Sequence, residues 1–329
     1  MSKYAVILFN LGGPDSLEAI EPFLYNLFRD PDIFNIPIGQ KLFAKIISKR
    51  RAPKVMEEYK LIGGSSPINE WTETQREALE TELNKNESAD KYKVFTAMRY
   101  WKPLTDEVAA NIAQREFDKI ILLPLYPHYS ITTTGSSFNE WDRVYKKKQN
   151  NIIRVKEYFN HQKYIEALNE RIDKTLNKFP KQVQDEVQLV FSAHGTPVSL
   201  VKKGDPYSLQ IKQTVEEVMK QRNHSHDHHL CYQSKVGPVK WLEPATDTMI
   251  RELSEKGKKH LLIIPISFVS DHVETLFELD IEYRHVADEV NIENYIVMEG
   301  LNGSKIFIEA LKELTIDAIE KNKNGKEQN

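Results

Sequence analysis

The sequence predicts an α/β protein with two similar domains, each built on a parallel sheet, and three observations lead to this prediction. The first is a set of short, unalternating apolar runs at Tyr4–Phe9, Ile120–Leu125, Val187–Phe191 and His260–Ile266. Such runs are typical of strands that are buried on both faces. The second is that helical patterns separate the runs, which favours parallel strands joined by helices. The third is that the runs recur in pairs along a chain of 329 residues, a length that suits two domains.

Weaker patterns supply the remaining elements. Further strands are predicted at Tyr92–Met98, Cys231–Ser234 and Asn294–Met298. Apolar residues recur at helical spacing in the segments Glu73–Asn84, Thr105–Gln114, Gln162–Phe179, Tyr207–Gln221, Thr246–Glu255 and Ile306–Asn322. Strand and helix therefore alternate along most of the chain.

Two pairs of segments resemble each other and keep the same order in each half. AVILFNLGGP at 5–14 resembles QLVFSAHGTP at 188–197, and KIILLPLYPHYS at 119–130 resembles KHLLIIPISFVS at 259–270. We interpret them as two similar halves, with a longer connection in the first. Chance similarity between short strand motifs is the alternative.

The repeat divides the chain near its middle. We predict an N-terminal domain at 1–150 with an insertion at about 28–66, a C-terminal domain at 151–320, and a disordered tail at 321–329 that has no apolar residue. Ligands of such sheets gather beyond the carboxyl ends of the strands, so we expect a cleft between the domains to hold the site.

Composition excludes several classes of protein. The 45 lysines and arginines nearly balance the 48 acidic residues, and the formal charge of −3 argues against binding to nucleic acid through a global positive field. The single cysteine, Cys231, excludes a disulfide framework, a multi-cysteine zinc site and a cysteine-ligated iron–sulfur cluster. No apolar run reaches the roughly 18–20 residues of a membrane span, and the N-terminal segment is interpreted as a strand rather than a signal peptide. We expect a soluble, cytoplasmic protein.

The predicted insertion contains many large apolar residues, among them Phe34, Ile38 and Phe43, followed by the basic cluster 49–51. One interpretation is a helix that covers the domain core. The other is an apolar lip over the cleft whose basic residues touch a membrane surface.

A histidine-rich segment at 224–229 also stands out. Histidine imidazoles bind metals, but an isolated polar loop lacks the fixed geometry of a specific metal site. We interpret it as a solvated linker.

His194 is the first candidate for chemistry. It lies in FSAHGTP, directly after a buried strand, and small neighbours such as Gly195 allow a ligand to approach the backbone. We place it in the loop after the strand and favour a functional role over a structural one.

A stripe of acids follows another buried strand, in SDHVETLFELDIEY. Asp271 and Glu274 fit a capping box at the start of a helix. That interpretation leaves Glu278 and Glu282 unexplained, because like charges four residues apart repel each other on a helix. With His272 and the imidazole at the neighbouring strand end, the stripe suits a divalent ion and proton transfer.

The remaining loops after strands are rich in aromatic and hydroxyl side chains. Together with nearby basic residues they point to a large, flat, apolar ligand that bears anionic groups. The residues are Arg51, Arg99, Tyr100, Trp101, Tyr126, His128, Tyr129, Thr132, Thr133, Thr134, Lys235 and Trp241. LGGP at 11–14 lacks the pattern of a dinucleotide-binding loop.

Taken together, these segments resemble the ferrochelatase family. The matching motifs run in the family's order over about residues 4–315, which is nearly the whole chain. They are NLGGP (10–14), KRRAPK (49–54), YKLIGGSSPI (59–68), MRYWKPLT (98–105), YPHYSITTTGSS (126–137), FSAHGTP (191–197), KGDPY (203–207), YQSKVGPVKWLEP (232–244) and PISFVSDHVETLFELDIEYR (265–284).

The resemblance implies two Rossmann-like domains with a porphyrin cleft, and insertion of Fe(II), as substrate, into protoporphyrin IX without a redox cofactor. His194 and Glu274 are then the metal-binding and catalytic pair with His272 close by, and Glu278 and Glu282 form a relay for protons or metal. The residues at the family's porphyrin contacts are Arg51, Tyr59, Ser66, Arg99, Tyr100, Tyr126 and Trp241.

The resemblance also indicates which porphyrin is the substrate. The TTTGSS loop is similar to that of the branch that uses protoporphyrin rather than coproporphyrin. Some members add a cysteine-rich extension that binds a [2Fe–2S] cluster, and a chain with one cysteine is expected to have none. Two other hypotheses remain open: a transferase with a sugar-nucleotide cleft, and a non-enzymatic porphyrin or haem carrier. Oligomeric state is left open, and peripheral contact with a membrane is an expectation.

Overall fold

The protein is built on parallel β-sheets. The computed structural model describes residues 2–34, 36–85, 90–147, 149–235 and 237–327. All seven predicted strands form, and the four strongest apolar runs are almost entirely buried. The described residues fall into two compact units.

Unit 1 comprises Met1–Tyr158 and Gly303–Asn329. Its sheet has the strand order β2-β1-β3-β4, with every neighbouring pair parallel. The strands are β1 (Lys3–Asn10), β2 (Lys91–Met98), β3 (Lys119–Pro124) and β4 (Ile152–Arg154). Only β4, a three-residue edge strand, was not predicted, because a strand that short carries no periodic signal.

Helices flank this sheet. They are α1 (Ile20–Phe28), α2 (Gln40–Leu61), α3 (Ile68–Asn84), α4 (Thr105–Ala113) and α5 (Ser136–Val144), with a π-helix at Ile131–Gly135 and a 3₁₀-helix at Gln149–Asn151. α2 occupies much of the predicted insertion and buries one face, including Ala44 and Ala52, as the helix interpretation expected.

Unit 2 comprises Phe159–Asn302 and repeats the arrangement with the order β6-β5-β7-β8, again all parallel. The strands are β5 (Gln188–His194), β6 (His228–Gln233), β7 (His260–Pro265) and β8 (Asn294–Val297). The helices are α6 (Gln162–Leu176), α7 (Val198–Lys202), α8 (Tyr207–Gln221), α9 (Thr246–Glu255) and α10 (Tyr283–Glu289), with a 3₁₀-helix at Lys181–Glu186 and a π-helix at Glu274–Glu282. The matching strand orders confirm the two similar halves.

The last helix, α11 (Lys305–Glu327), corrects the predicted extent of the second domain. It contacts α3, β3 and β4, so it belongs to unit 1, whereas the prediction placed residues up to 320 in the second domain. An amphipathic pattern shows that one face is buried but not which sheet covers it. The first boundary also lies at 158 rather than 150.

The predicted tail at 321–329 is helical up to Glu327, and residues 328–329 lie outside the described residues. Extending an existing helix adds one hydrogen bond for each residue that is fixed, so a polar segment continues a helix that packing has already stabilised. The histidine-rich segment is corrected as well, because His228 and His229 begin β6 instead of lying in a linker.

Each sheet carries its own apolar core. In unit 1, Phe9, Leu122 and Trp141 are buried together, and in unit 2, Val190 and Ile263 belong to the corresponding cluster. Within the described ranges, no helix is both long and apolar enough to cross a membrane.

Candidate active site

His194 is the last residue of β5, where it pairs in register with Gln233 of β6. The prediction placed it in the following loop, but the strand continues three residues beyond the apolar run that ends at Phe191. Its backbone N–H donates to the Ser267 hydroxyl at 2.9 Å, and its carbonyl accepts from the Tyr207 hydroxyl at 3.0 Å. Tyr207 and Ser267 also bond each other at 2.7 Å. The main chain of His194 is therefore fixed, while its side chain projects from the carboxyl end of the sheet.

The His194 imidazole faces the Glu274 carboxylate, with 2.8 Å between Nδ1 and Oε2. The two side chains are 38% and 25% exposed, so a ligand can reach both. Burial lowers the pKa of His194, but the carboxylates of Glu274 and Glu278 together raise it by more, and the net pKa is raised. Burial raises the pKa of Glu274, but His194 and its other partners lower it to about 2. Glu274 is thus ionised beside a histidine that holds its proton more tightly than usual.

Ser234 connects Glu274 to Glu278. Its hydroxyl donates to Glu278 Oε2 at 2.6 Å and lies 3.2 Å from Glu274 Oε2, and its backbone N–H donates to Glu278 Oε1 at 2.7 Å. The Tyr283 hydroxyl also donates to Glu278 at 3.0 Å. Burial and the neighbouring Glu274 charge raise the pKa of Glu278. The two carboxyl groups therefore differ: one stays ionised and the other takes up a proton more readily.

The acids lie on the π-helix at Glu274–Glu282, which the sequence analysis predicted as an ordinary helix. Hydrogen bonds from i to i+5 give a π-helix a wider turn than the 3.6 residues of an α-helix. Side chains four residues apart consequently align more closely along one face. This brings Glu274 and Glu278 to the same hydroxyl group in spite of their like charge.

The capping-box interpretation of Asp271 and Glu274 is wrong. Asp271 is buried and accepts hydrogen bonds from Gly300 N, Asn302 Nδ2 and the Thr275 hydroxyl, so it anchors the start of the π-helix to a neighbouring loop. Glu274 bonds to side chains of other elements rather than to the backbone of Asp271. A local pattern cannot reveal such distant partners, so the sequence alone left the cap open as an alternative.

His272 lies behind the pair. Its Nδ1 lies 3.1 Å from the Ser270 carbonyl, which assigns the proton to that nitrogen. Nε2 is buried and has no hydrogen-bond partner among the described residues. Burial lowers the pKa of His272. The Phe268 ring contacts both imidazoles, with centroids 4.4 Å from His272 and 6.1 Å from His194.

Glu282 lies at the exposed end of the π-helix. In the described part of the chain it makes no hydrogen bond to Glu278 or His194. Of the predicted residues, the structure therefore brings together His194, Glu274 and Glu278, with His272 beside them. Ser234 joins them, although the prediction did not single it out. Ser234 carries a signal similar to that of His194, namely a polar residue at the carboxyl end of a strand.

Two of the predicted porphyrin contacts belong to a buried network in unit 1. Arg99 forms an ion pair with Asp30 at 3.0 Å, where the side chains are 10% and 0% exposed. The Tyr100 hydroxyl donates to the same carboxylate at 2.7 Å, and the Ser136 hydroxyl donates to it as well. Burial and the neighbouring Asp30 charge raise the pKa of Tyr100 well above its usual value. Both residues thus have structural partners within unit 1.

The other predicted contacts in unit 1 differ in exposure. Tyr59, Ser66 and Tyr126 are buried, and burial raises the pKa of Tyr126. Arg51 is exposed, with its guanidinium 5.9 Å from the centre of the Phe28 ring.

Trp241 lies in unit 2, beside the loop that follows His194. It forms an isolated antiparallel bridge with Pro197. A Cβ atom at Gly195 would lie 3.4 Å from the Trp241 ring and 2.6 Å from the Gln233 carbonyl, so glycine is required for this close approach.

The sequence and the fold were also compared with known proteins. The family model for ferrochelatase matches residues 3–319 of the chain. The chain is 46% identical to a ferrochelatase of Geotalea daltonii, over 95% of this chain and 97% of the relative. It is 47% identical to a ferrochelatase of Aquifex aeolicus, over 96% of this chain and 100% of the relative.

Among solved structures, the fold is similar to a sirohydrochlorin chelatase of Bacillus subtilis subspecies spizizenii in complex with cobalt, with a TM-score of 0.52 and 9% identity over 97% of this chain and 96% of that one. It is also similar to the terminal enzyme of sirohaem biosynthesis in denitrifying bacteria, with a TM-score of 0.50 and 10% identity over 96% and 99%. At this level of identity the likeness supports the α/β fold of two Rossmann-like domains and nothing about the substrate.

Proposed function

This chain belongs to the ferrochelatase family and is an enzyme that inserts iron into a porphyrin in haem synthesis, and we propose that His194 and Glu274 bind the incoming metal and accept the pyrrole protons. The observation that carries this proposal is the 2.8 Å contact between Nδ1 of His194 and Oε2 of Glu274. When the imidazole is neutral, this contact holds its proton on Nδ1 and leaves the Nε2 lone pair for a proton or a metal ion.

The reaction makes two demands on such a site. A free porphyrin carries two N–H protons where the metal must enter, so insertion of Fe(II) releases two protons. A base must accept them, and the ring must bend to expose its nitrogen lone pairs. Walls that fit a bent ring better than a flat one favour the transition state. We propose that the imidazole of His194 is the first proton acceptor, because the adjacent carboxylate makes it a stronger base.

The remaining acids suit a further step, which is removal of the protons from the site. The raised pKa of Glu278 makes this carboxyl a ready acceptor. Glu282 lies at the exposed end of the same π-helix, where a proton can pass to solvent or a cation can enter. We propose the direction from His194 through Glu274 and Glu278 towards Glu282.

Fe(II) is a substrate here and must be released into the product. An imidazole and a carboxylate are suitable ligands for Fe(II), and two protein ligands hold it less tightly than a complete coordination sphere. We also propose that the reaction uses no iron–sulfur cluster. Cys231 is buried, and burial raises the pKa of its thiol to about 12. Anaerobically purified protein should therefore show no visible absorption from such a cluster.

The proposed porphyrin is protoporphyrin IX, which rests on the TTTGSS loop at 132–137. The test is an anaerobic assay with ferrous iron and either protoporphyrin IX or coproporphyrin, in which loss of porphyrin fluorescence is followed over many turnovers. We expect faster turnover with protoporphyrin IX. Preference for coproporphyrin would assign the chain to the other branch, and binding of protoporphyrin at a 1:1 ratio without conversion would indicate a carrier.

We further propose that the protein is cytoplasmic and makes reversible contact with membranes through α2 and the segment before it. The sequence analysis named Phe34, Ile38 and Phe43 for this contact. Phe34 and Phe43 instead pack on each other, with ring centroids 6.2 Å apart. The exposed apolar side chains are Ile38, Leu42 and Ile46, which are 91%, 63% and 60% exposed.

These three positions are four residues apart, so Leu42 and Ile46 share one helix face, and the exposed basic cluster 49–51 follows in the same helix. Each basic residue contributes about 1 kcal/mol on anionic lipid, so binding should weaken with salt. The test is co-sedimentation with anionic vesicles for the wild type and for a variant with serine at Ile38, Leu42 and Ile46. Leu209→Ser in unit 2, at a residue 58% exposed, is the matched control. Equal binding by both variants would contradict the proposal.

A further inference from the structure

We infer that Ser234 is a positioning residue that holds Glu274 and Glu278 together in front of His194. This inference rests on the proposed function of the pair. The site otherwise brings two carboxyl groups together on one side of a helix, where their charges repel each other. A residue that bonds to both of them offsets that repulsion and fixes their distance from the imidazole.

The hydrogen bonds of Ser234 support this role. Both oxygens of Glu278 are bound by this one residue, Oε1 by its backbone N–H at 2.7 Å and Oε2 by its hydroxyl at 2.6 Å. The same hydroxyl lies 3.2 Å from the Glu274 oxygen that faces His194. A serine hydroxyl donates one hydrogen bond and accepts two, so it can donate to one carboxyl group while it accepts from the other when that group is protonated.

The other groups around the two acids do not replace Ser234. In the described ranges, no lysine or arginine forms an ion pair with Glu274 or Glu278, and only Ser234 makes hydrogen bonds to both. Tyr283 and Gln233 reach Glu278 alone, at 3.0 Å and 3.5 Å. His194 reaches Glu274 alone.

The backbone at Ser234 provides a second, independent observation. Its φ is +65°, in the left-handed region where a residue with a Cβ atom is disfavoured and glycine is not. A serine therefore occupies a position where glycine would fit without strain. The hydroxyl of this serine meets both carboxyl groups, and the left-handed turn also directs the backbone N–H to one of them.

Substituting glycine or alanine for Ser234 distinguishes the effect of losing the hydroxyl from the effect of backbone strain. Ser234→Gly removes the hydroxyl and relieves the left-handed strain, whereas Ser234→Ala removes the hydroxyl and keeps the strain. Asn291→Gly, at another left-handed residue of unit 2 with φ of +58°, is the matched control outside the site.

The experiment measures kcat and KM for porphyrin, thermal stability, and the NMR signal of the His194 Nδ1 proton. We expect Ser234→Gly and Ser234→Ala to lower kcat at least tenfold with KM within twofold, and Ser234→Gly to be no less stable than the wild type. The Nδ1 proton signal should move, because the Glu274 oxygen loses a donor. Asn291→Gly should leave kcat unchanged.

A wild-type kcat and an unmoved Nδ1 signal in Ser234→Gly would overturn the inference. A loss of kcat that matches a loss of stability in both variants would also overturn it, since that is a purely structural effect. The proposed function is tested separately. If His194→Ala keeps the turnover of the wild type, His194 and Glu274 are not the catalytic pair, whatever the result for the Ser234 variants.

Discussion

Unit 1 and unit 2 each pair a carboxylate with a basic side chain, buried in unit 1 and partly exposed in unit 2, and the partners of the two carboxylates differ. Asp30 in unit 1 lies 3.0 Å from the guanidinium of Arg99 and accepts further bonds from Tyr100 and Ser136. Glu274 in unit 2 lies 2.8 Å from the imidazole of His194. Arginine stays charged at any pH a protein meets, whereas histidine changes charge near neutral pH. An acid beside a basic side chain therefore stabilises structure in one unit and is suited to proton transfer in the other.

The aligned repeat shows where the units diverged in chemistry. Each unit has a π-helix after its third strand, Ile131–Gly135 in one and Glu274–Glu282 in the other. In the alignment of the repeated segments, Leu11 stands opposite His194. Unit 1 thus keeps the scaffold with a leucine in place of the imidazole.

The largest expected effect is that of His194→Ala, which removes the titratable partner from unit 2. Turnover should fall by about a hundredfold to ten-thousandfold, the usual contribution of a general base. Porphyrin binding, measured by fluorescence titration, should persist. His226→Ala, which removes a histidine bonded to the Gln184 carbonyl, is the control and should retain activity. Turnover above a tenth of the wild type would reject the role of His194.

The next effect is that of Glu274→Gln, which keeps the size of the side chain and removes its charge. Turnover should fall by about a hundredfold because the imidazole loses the carboxylate that raises its basicity. Thermal stability should change little. Glu299→Gln, at a surface carboxylate paired with Lys174 and Lys178, is the matched control. Equal losses of activity and stability would assign Glu274 a structural role instead.

Arg99→Ala should act on stability, since it leaves Asp30 buried without its counter-charge. Breaking a buried ion pair from one side costs about 3–5 kcal/mol. Chemical denaturation should therefore show a large loss in the free energy of unfolding, and the double variant Asp30→Asn with Arg99→Met should recover part of it. A stable Arg99→Ala protein with weakened porphyrin binding would instead support the porphyrin contact implied by the family resemblance.

The smallest effect is a pH dependence of stability. The native pKa of His194 lies above its ordinary value of 6.5, so the folded state binds this proton more tightly than the unfolded state. The stabilisation is complete below about pH 6.5 and is lost as the pH rises through the native pKa. The difference in melting temperature between the wild type and Glu274→Gln should therefore shrink between pH 6 and 9. A constant or growing difference would contradict the raised pKa.

The strands and the repeat were predictable because burial on both faces leaves continuous apolar runs such as that of β1. The proximity of His194 and Glu274 was predictable because they follow the apolar runs of two strands that are neighbours in one sheet. The hydrogen-bond partners were not predictable, because they lie far apart in sequence, as Asp271 does from Gly300 and Asn302. Single-residue patterns also cannot distinguish a π-helix from an α-helix, since both bury one face.

The position of α11 has a consequence for biosynthesis. The chain leaves unit 1 at Tyr158, forms the whole of unit 2, and returns to unit 1 only at Gly303. Unit 2 is continuous in sequence, so a ribosome releases all of its residues before α11 emerges. Domains generally fold as units during synthesis, so a domain whose residues have all emerged is free to fold. Unit 2, which bears His194, can therefore finish folding before α11 is available to pack against the sheet of unit 1.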